Sequence, residues 1–140
     1  MARNSYHNYL RAVPLFADVE EHDLDVIGAA VTELSVKAGE VLMRAGSSAR
    51  EMVIVLEGEL CVKLGDTEIA TIAPGGFAGE MGLLADRPRN ATVAAKSDTR
   101  ILHIDSRSFD NVLHEAPQIA VKMLPVVAKR VVENNDRHTD

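Results

Sequence analysis

The stretch Pro74-Gly-Gly-Phe-Ala-Gly-Glu-Met-Gly-Leu-Leu-Ala-Asp-Arg-Pro-Arg-Asn-Ala-Thr-Val93 holds the residues whose types and spacing suit chemistry. Four glycines fall in its first nine positions, a costly composition unless the backbone bends sharply or must be approached closely. A helical turn over Glu80 to Leu84, opening after Gly79, would present amide N–H groups at its start, a favourable place for a phosphate. Nine positions after Glu80 stands Arg89, whose planar fork of donors matches two oxygens of a phosphate diester. An arbitrary Glu and Arg more often form an ion pair bracing a loop, and glycines alone more often make turns. The combination, with the ending Pro88-Arg-Asn-Ala-Thr-Val93, favours an anion site.

Other chemistry-bearing residues give weaker signals. The five histidines, His7, His22, His103, His114 and His138, form no His-x-His pair on a strand, so no metal centre is predicted. The single Cys61 cannot close an internal disulfide or supply an iron–sulfur or zinc ligand set, and it fits a reducing compartment. Asn90-Ala91-Thr92 matches a glycosylation acceptor, a triplet common by chance, and nothing in the chain directs secretion. Arg130 reads by default as a solvated charge.

The elements that must position the glycine-rich segment follow from periodicity. Tyr9, Leu10, Val13 and Phe16 recur at helical spacing, as do Leu24, Ile27, Ala30 and Val31 behind an acidic start, predicting two N-terminal helices joined near Pro14 to Asp18. From Thr32 to Asp105 the pattern changes to short apolar runs punctuated by glycine: Val41–Met43, Met52–Leu56, Leu60–Leu64, Ile69–Ala73, Ala91–Ala95 and Arg100–Ile104. Glu57-Gly58 and Gly65-Asp66 supply hairpin turns, and Gly39 and Gly46 read the same way. Helical spacing returns in Phe109, Val112 and Leu113, then in Ile119, Met123, Val127 and Val131, with Pro117 placed at a helix start. The expected fold is mainly β with flanking helices: one 140-residue domain with N-terminal helices over 1–31 and an antiparallel, jelly-roll-like β-roll over 32–105. The segment 75–93 lies within the roll, C-terminal helices follow over 106–134, and a polar tail over 135–140 ends the chain. Pro125, inside the last helical pattern, removes a backbone donor and predicts a kink or break near Leu124.

Whole-chain properties exclude several classes. With 46% hydrophobic and 26% charged residues the body of the chain is globular rather than disordered. The net charge of −6 and the scattered Lys and Arg argue against direct nucleic-acid binding. No run of apolar residues is long enough for a membrane span, and a cytoplasmic setting is expected.

The glycine-rich segment closely resembles the phosphate-binding cassette of cyclic-nucleotide-binding domains, as found in catabolite-activator-type regulators, cyclic-nucleotide-dependent protein kinases and cyclic-nucleotide-gated channels. The family pattern, roughly Phe-Gly-Glu-Leu-Ala-Leu and then Pro-Arg-Ala-Ala-Thr-Val, corresponds to Phe77–Leu83 and Pro88–Val93. Ala78 and Gly82 depart from common family residues, and Gly76 stands where the family often has Asp. The resemblance extends to the flanking helices and the glycine-marked strands. It implies that Glu80 accepts from the ribose 2′-hydroxyl, supported by the Gly79 amide, and that Arg89 pairs with the cyclic phosphate, assisted by the Gly82 and Asn90 amides. The implied ligand-binding set is Gly79, Glu80, Met81, Gly82, Arg89, Asn90 and Ala91, with Arg130 from the last helix stacking over the purine. Leu102, Val62 and Met43 are candidates for the base pocket, with plain core packing as the alternative for each.

No catalytic residue, metal or cofactor is implied; the ligand is cyclic AMP, with cyclic GMP as the alternative. In the family, Thr directly after the phosphate-binding Arg accompanies cyclic GMP and small apolar residues accompany cyclic AMP. Here that place is taken by Asn90, whose side-chain carbonyl is able to accept from a guanine amino group. Occupancy would be transmitted through the C-terminal helices, with the segment beyond Pro125 swinging over the purine as a lid. The partner is then an effector protein or a linked effector domain, the chain being one domain of a longer channel or regulator in the second case. Two rival readings are an interaction module that keeps the fold without binding nucleotide and a metal-dependent β-roll enzyme.

Overall fold

Strand-forming residues between Thr32 and Asp105 build two four-stranded antiparallel sheets in the computed structural model. The structure describes residues 6–48, 50–85 and 88–139, with side chains in the last helix as far as Glu133. The chain divides into a roll, Ala30–Phe109, and a helical unit formed by Met1–Ala29 and Asp110–Asp140.

In the roll, β1 (Thr32–Val36), β3 (Glu51–Glu57), β6 (Phe77–Ala78) and β8 (Thr99–Asp105) form one sheet in the order β1-β8-β3-β6. The other sheet takes β2 (Val41–Met43), β4 (Leu60–Leu64), β5 (Thr67–Ile72) and β7 (Thr92–Ala95) in the order β2-β7-β4-β5. Side chains alternate across a strand, so one face of each sheet supplies the core: Val36, Met43, Val53, Val55, Leu60, Val93, Ala95 and Ile101. Burial extends to the opposite face of β3 and β8, at Met52, Ile54, Leu102 and Ile104. Hence the run from Met52 to Leu56 is continuously apolar rather than alternating. Register pairs Glu51 with Asp105, Val53 with His103 and Val55 with Ile101, which sets Glu51 and His103 on the core-facing side. Gly58 turns β3 into β4 with φ +87°, and a Cβ there would meet the Asp98 carbonyl at 2.5 Å.

The helical unit contains α1 (His7–Arg11), a 3-10 turn (Pro14–Phe16), α2 (Glu21–Ala30) and α4 (Gln118–Thr139), and the boundary between units falls within α3 (Ser106–Glu115). Buried Asp23 on α2 accepts a hydrogen bond from Gln118 Nε2 at 2.9 Å. At the start of α3 the Asp105 carboxylate accepts from the Ser108 amide at 2.8 Å. That bond, with a second from the Ser108 side chain, holds the Asp105 carboxyl below the usual carboxylate range.

Three expectations need revision. Strands β1 and β6 were not legible as apolar runs: β1 buries only Val36 among its five residues, and β6 is two residues long. The second helix ends at Ala30, leaving Val31 outside it. The last helix runs unbroken through Pro125 to Thr139, beyond the predicted end at Asn134 and without a break near Leu124. The carbonyl that Pro125 cannot bond belongs to Val121, a residue 63% exposed, where water can take the place of the missing donor.

Candidate functional site

Gly79 opens the cassette with φ +85°, the left-handed conformation that glycine adopts without strain. The predicted turn follows as one 3-10 turn, Glu80–Leu83, closed by the Gly82 N–H donating to the Gly79 carbonyl at 2.9 Å. Amides of Leu84 and Ala85 both donate to the Met81 carbonyl, at 3.1 and 3.0 Å, and Leu83 anchors the turn with a fully buried side chain. The Gly82 amide, which the resemblance gives to the phosphate, is thus already engaged within the turn.

Arg89 is held at both ends. Its amide donates to the Ser47 carbonyl and its own carbonyl accepts from the Gly46 amide, each at 2.8 Å. Its side chain reaches to β3, where Nη2 donates to the Glu51 main-chain carbonyl at 2.7 Å. The glycines explain how the guanidinium fits. A Cβ on Gly79 would lie 2.8 Å from Nη1, and one on Gly82 would lie 2.9 Å from Nη2. Both are closer than real side-chain contacts allow, so the missing side chains are what admit the guanidinium. Beside it lies a cavity of about 140 Å³ lined by Met81, Gly82, Ala85 and Arg89.

Gly79, Glu80, Met81, Gly82 and Arg89 are therefore brought together, with Asn90 exposed and Ala91 half-buried on the way into β7. Asp86 and Arg87 of the same segment, and the His138 side chain, lie outside the described residues. Arg130 belongs to the helical unit, where it lines a cleft of about 460 Å³ with Pro14, Asp18, Pro125 and Lys129. Of the base-pocket candidates, Met43 is in the roll core and Val62 packs against it. Leu102 is turned to the opposite face of β8 from core residue Ile101, so it does not share a cavity with them.

Sequence reading missed Glu51. It acts through a main-chain carbonyl, which no residue type advertises. Its carboxylate has a second partner, His103 Nε2 at 2.8 Å. That hydrogen bond raises the His103 pKa above the ordinary histidine value; burial opposes the rise, and the charges of Glu51 and Asp105 add to it. Among the described residues, no three His, Cys, Asp or Glu side chains gather as metal ligands would.

An antiparallel roll that seats an arginine on a glycine-bounded turn, beside a small cavity, defines the class as a β-roll with a candidate ligand site. The cyclic nucleotide-binding domain family matches residues 33–116, and the chain belongs to that family. It is 35% identical over 109 residues to a cyclic nucleotide-gated potassium channel of Mesorhizobium japonicum, a match covering 78% of this chain and 30% of the channel. It is 28% identical over 115 residues to a cAMP-dependent protein kinase regulatory subunit of Schizosaccharomyces pombe, covering 81% of this chain and 28% of that protein. Among solved structures, the N-terminal domain of a transcriptional regulator from Streptomyces coelicolor matches with a TM-score of 0.83 at 26% identity, covering 93% of this chain and 94% of that one. The chain spans less than a third of the length of these curated relatives. No helix among the described residues is long and apolar enough to cross a membrane.

Proposed function

We propose that the chain is a cyclic-nucleotide sensor that prefers cyclic AMP and reports occupancy through its C-terminal helices. The observation that carries this reading is the seating of Arg89: a guanidinium fixed by the Glu51 carbonyl and packed on two glycines beside an open cavity. In this reading Arg89 takes the cyclic phosphate and Glu80 accepts from the ribose 2′-hydroxyl, with Gly79, Met81, Gly82, Asn90 and Ala91 shaping the cassette around them. Nucleotide-dependent effectors are then a separate protein or a linked domain. Calorimetric titration of the chain with both nucleotides tests the reading, and absence of binding by either to folded protein would leave an interaction module that has lost its ligand.

The choice of base turns on Asn90, which is exposed and therefore keeps its amide hydrated. An exposed amide exchanges one hydrogen-bond partner for another at small net gain, so it gives guanine little advantage. The names of the kinase relatives, cAMP-dependent regulatory subunits, point the same way. Competition binding is expected to favour cyclic AMP by less than about tenfold, or about 1.4 kcal/mol. A tenfold preference for cyclic GMP would show that Asn90 selects the base after all.

Relay through the C-terminal helices is supported by volume. A cavity of about 140 Å³ admits a phosphate-sized group, far below the roughly 300 to 1,000 Å³ of a complete small-molecule site. The remainder of the nucleotide must be covered by a segment that changes its contacts, and a ligand moves an equilibrium only through such differential contacts. The segment beyond Pro125, carrying Arg130, is assigned that role. Amides from Val126 to Asn134 are expected to exchange more slowly with saturating cyclic AMP, and identical exchange with and without ligand excludes the relay.

A further inference from the structure

We propose that Glu51 and His103 form a positioning pair for Arg89, through which protonation of His103 tightens the hold of the cassette on an anionic ligand. The proposal rests on the cyclic-nucleotide reading above and extends it to a regulation of that site by pH. Glu51 is the hinge of the arrangement. Its main-chain carbonyl accepts from Arg89 Nη2 at 2.7 Å, and its carboxylate meets His103 Nε2 at 2.8 Å. Both side chains are about three-quarters buried, at 23% and 25% exposure, so their charges are screened less than those of surface pairs.

The surroundings of the pair are sparsely charged. Register places Thr32 and Leu34 of β1, Glu51 and Val53 of β3, and Ile101 and Asp105 of β8 on the same face as His103. Among these, Glu51 and Asp105 bear charge. Glu33 of β1 faces the other way and is engaged by Arg100 at 3.1 Å. The cassette, whose turn packs on β3, brings Glu80 and Arg89, and Arg50 stands immediately before Glu51. Protonated His103 renders its pair with Glu51 neutral; neutral His103 leaves a net negative charge on the residue that seats Arg89.

A cyclic phosphate diester has a single acidic oxygen, ionised throughout the range in which histidine titrates, and adenine does not titrate there. Any pH dependence in this range therefore belongs to the protein. Because the His103 pKa is raised in the fold, the neutral pair persists to higher pH than an ordinary histidine would allow, and affinity falls as pH rises through the raised value. Linkage requires the reverse as well: bound ligand raises the His103 pKa further, so binding takes up protons near that pH.

The test is calorimetric titration of the chain with cyclic AMP from about pH 5.5 to about pH 9, in paired buffers of different ionisation enthalpy. Three proteins are compared: the unaltered chain, His103→Gln and Glu51→Gln. The unaltered chain should lose roughly 3- to 10-fold in affinity across the range, the size of one charge acting over several ångströms in a partly solvated site. It should also take up protons on binding. His103→Gln should show neither, whereas Glu51→Gln, which keeps the carbonyl seat but removes the carboxylate that raises the His103 pKa, should keep a slope displaced to lower pH. A structural role alone would shift affinity by the same factor at every pH. Binding with equal pH slopes in the unaltered chain and His103→Gln overturns the positioning pair and leaves the cyclic-nucleotide reading standing. Absence of binding at every pH, in protein folded by circular dichroism, overturns both.

Discussion

Arg89→Ala should weaken cyclic AMP binding by about 30-fold to several thousand-fold, or roughly 2 to 5 kcal/mol. The size follows from what is left behind: a phosphate that entered a half-enclosed cavity to meet a fork of donors would find methyl and main chain. The fold should lose much less. Removing the guanidinium takes one hydrogen bond from the Glu51 carbonyl, worth about 1 kcal/mol, while the main-chain bonds of residue 89 to Gly46 and Ser47 survive the substitution. Calorimetry alongside thermal unfolding separates the two effects, and unchanged affinity in a folded Arg89→Ala protein would remove the proposed site. Glu80→Ala makes a useful companion, because a hydroxyl contact to a carboxylate is lost without stranding a charge. Its expected effect is about tenfold.

How far the sequence carried the fold depends on which faces of each strand are covered. Runs such as Leu60–Leu64 and Val41–Met43 stood out because their apolar residues lie between glycine turns, and both are strands with those bounds. Thr32–Val36 did not, since four of its five residues are exposed and its pairing to β8 is a main-chain matter. The turn after Gly79 was legible because a positive φ demands glycine and because Glu80 and Arg89 are chemically conspicuous. What gives the turn its geometry was not. The Glu51 carbonyl and the close approach of Met43 Cε, 3.0 Å from a Cβ on Gly79, arise from the meeting of elements distant in sequence. His103 illustrates the same limit: read singly it is an undistinguished histidine, and only the β3–β8 register sets it against Glu51.

Gly79→Ala and Gly82→Ala should separate stability from binding, although both changes add a single methyl group to the same turn. At Gly79 the backbone has φ +85°, and a Cβ there would sit 2.5 Å from the Glu51 carbonyl oxygen as well as 2.8 Å from Arg89 Nη1. The carbonyl belongs to the first residue of β3, which is paired with Asp105 of β8, so it cannot retreat without disturbing the sheet. Left-handed backbone costs an L-residue about 1 to 2 kcal/mol and forced overpacking adds about 1 to 3 kcal/mol, so Gly79→Ala should lower the unfolding temperature by about 5 to 15 °C. Gly82 has no such φ, and the nearest atoms its added Cβ would meet belong to the Arg89 guanidinium, at 2.9 Å from Nη2 and 3.2 Å from Cζ. That group is the far end of a flexible side chain and can swing away. Gly82→Ala should therefore unfold within a few degrees of the unaltered chain, yet bind cyclic AMP about tenfold or more less tightly, because the displaced guanidinium leaves its seat on Glu51. Equal losses of affinity and stability in the two variants would mean that the glycines serve the turn alone, and that the position of Arg89 does not depend on them.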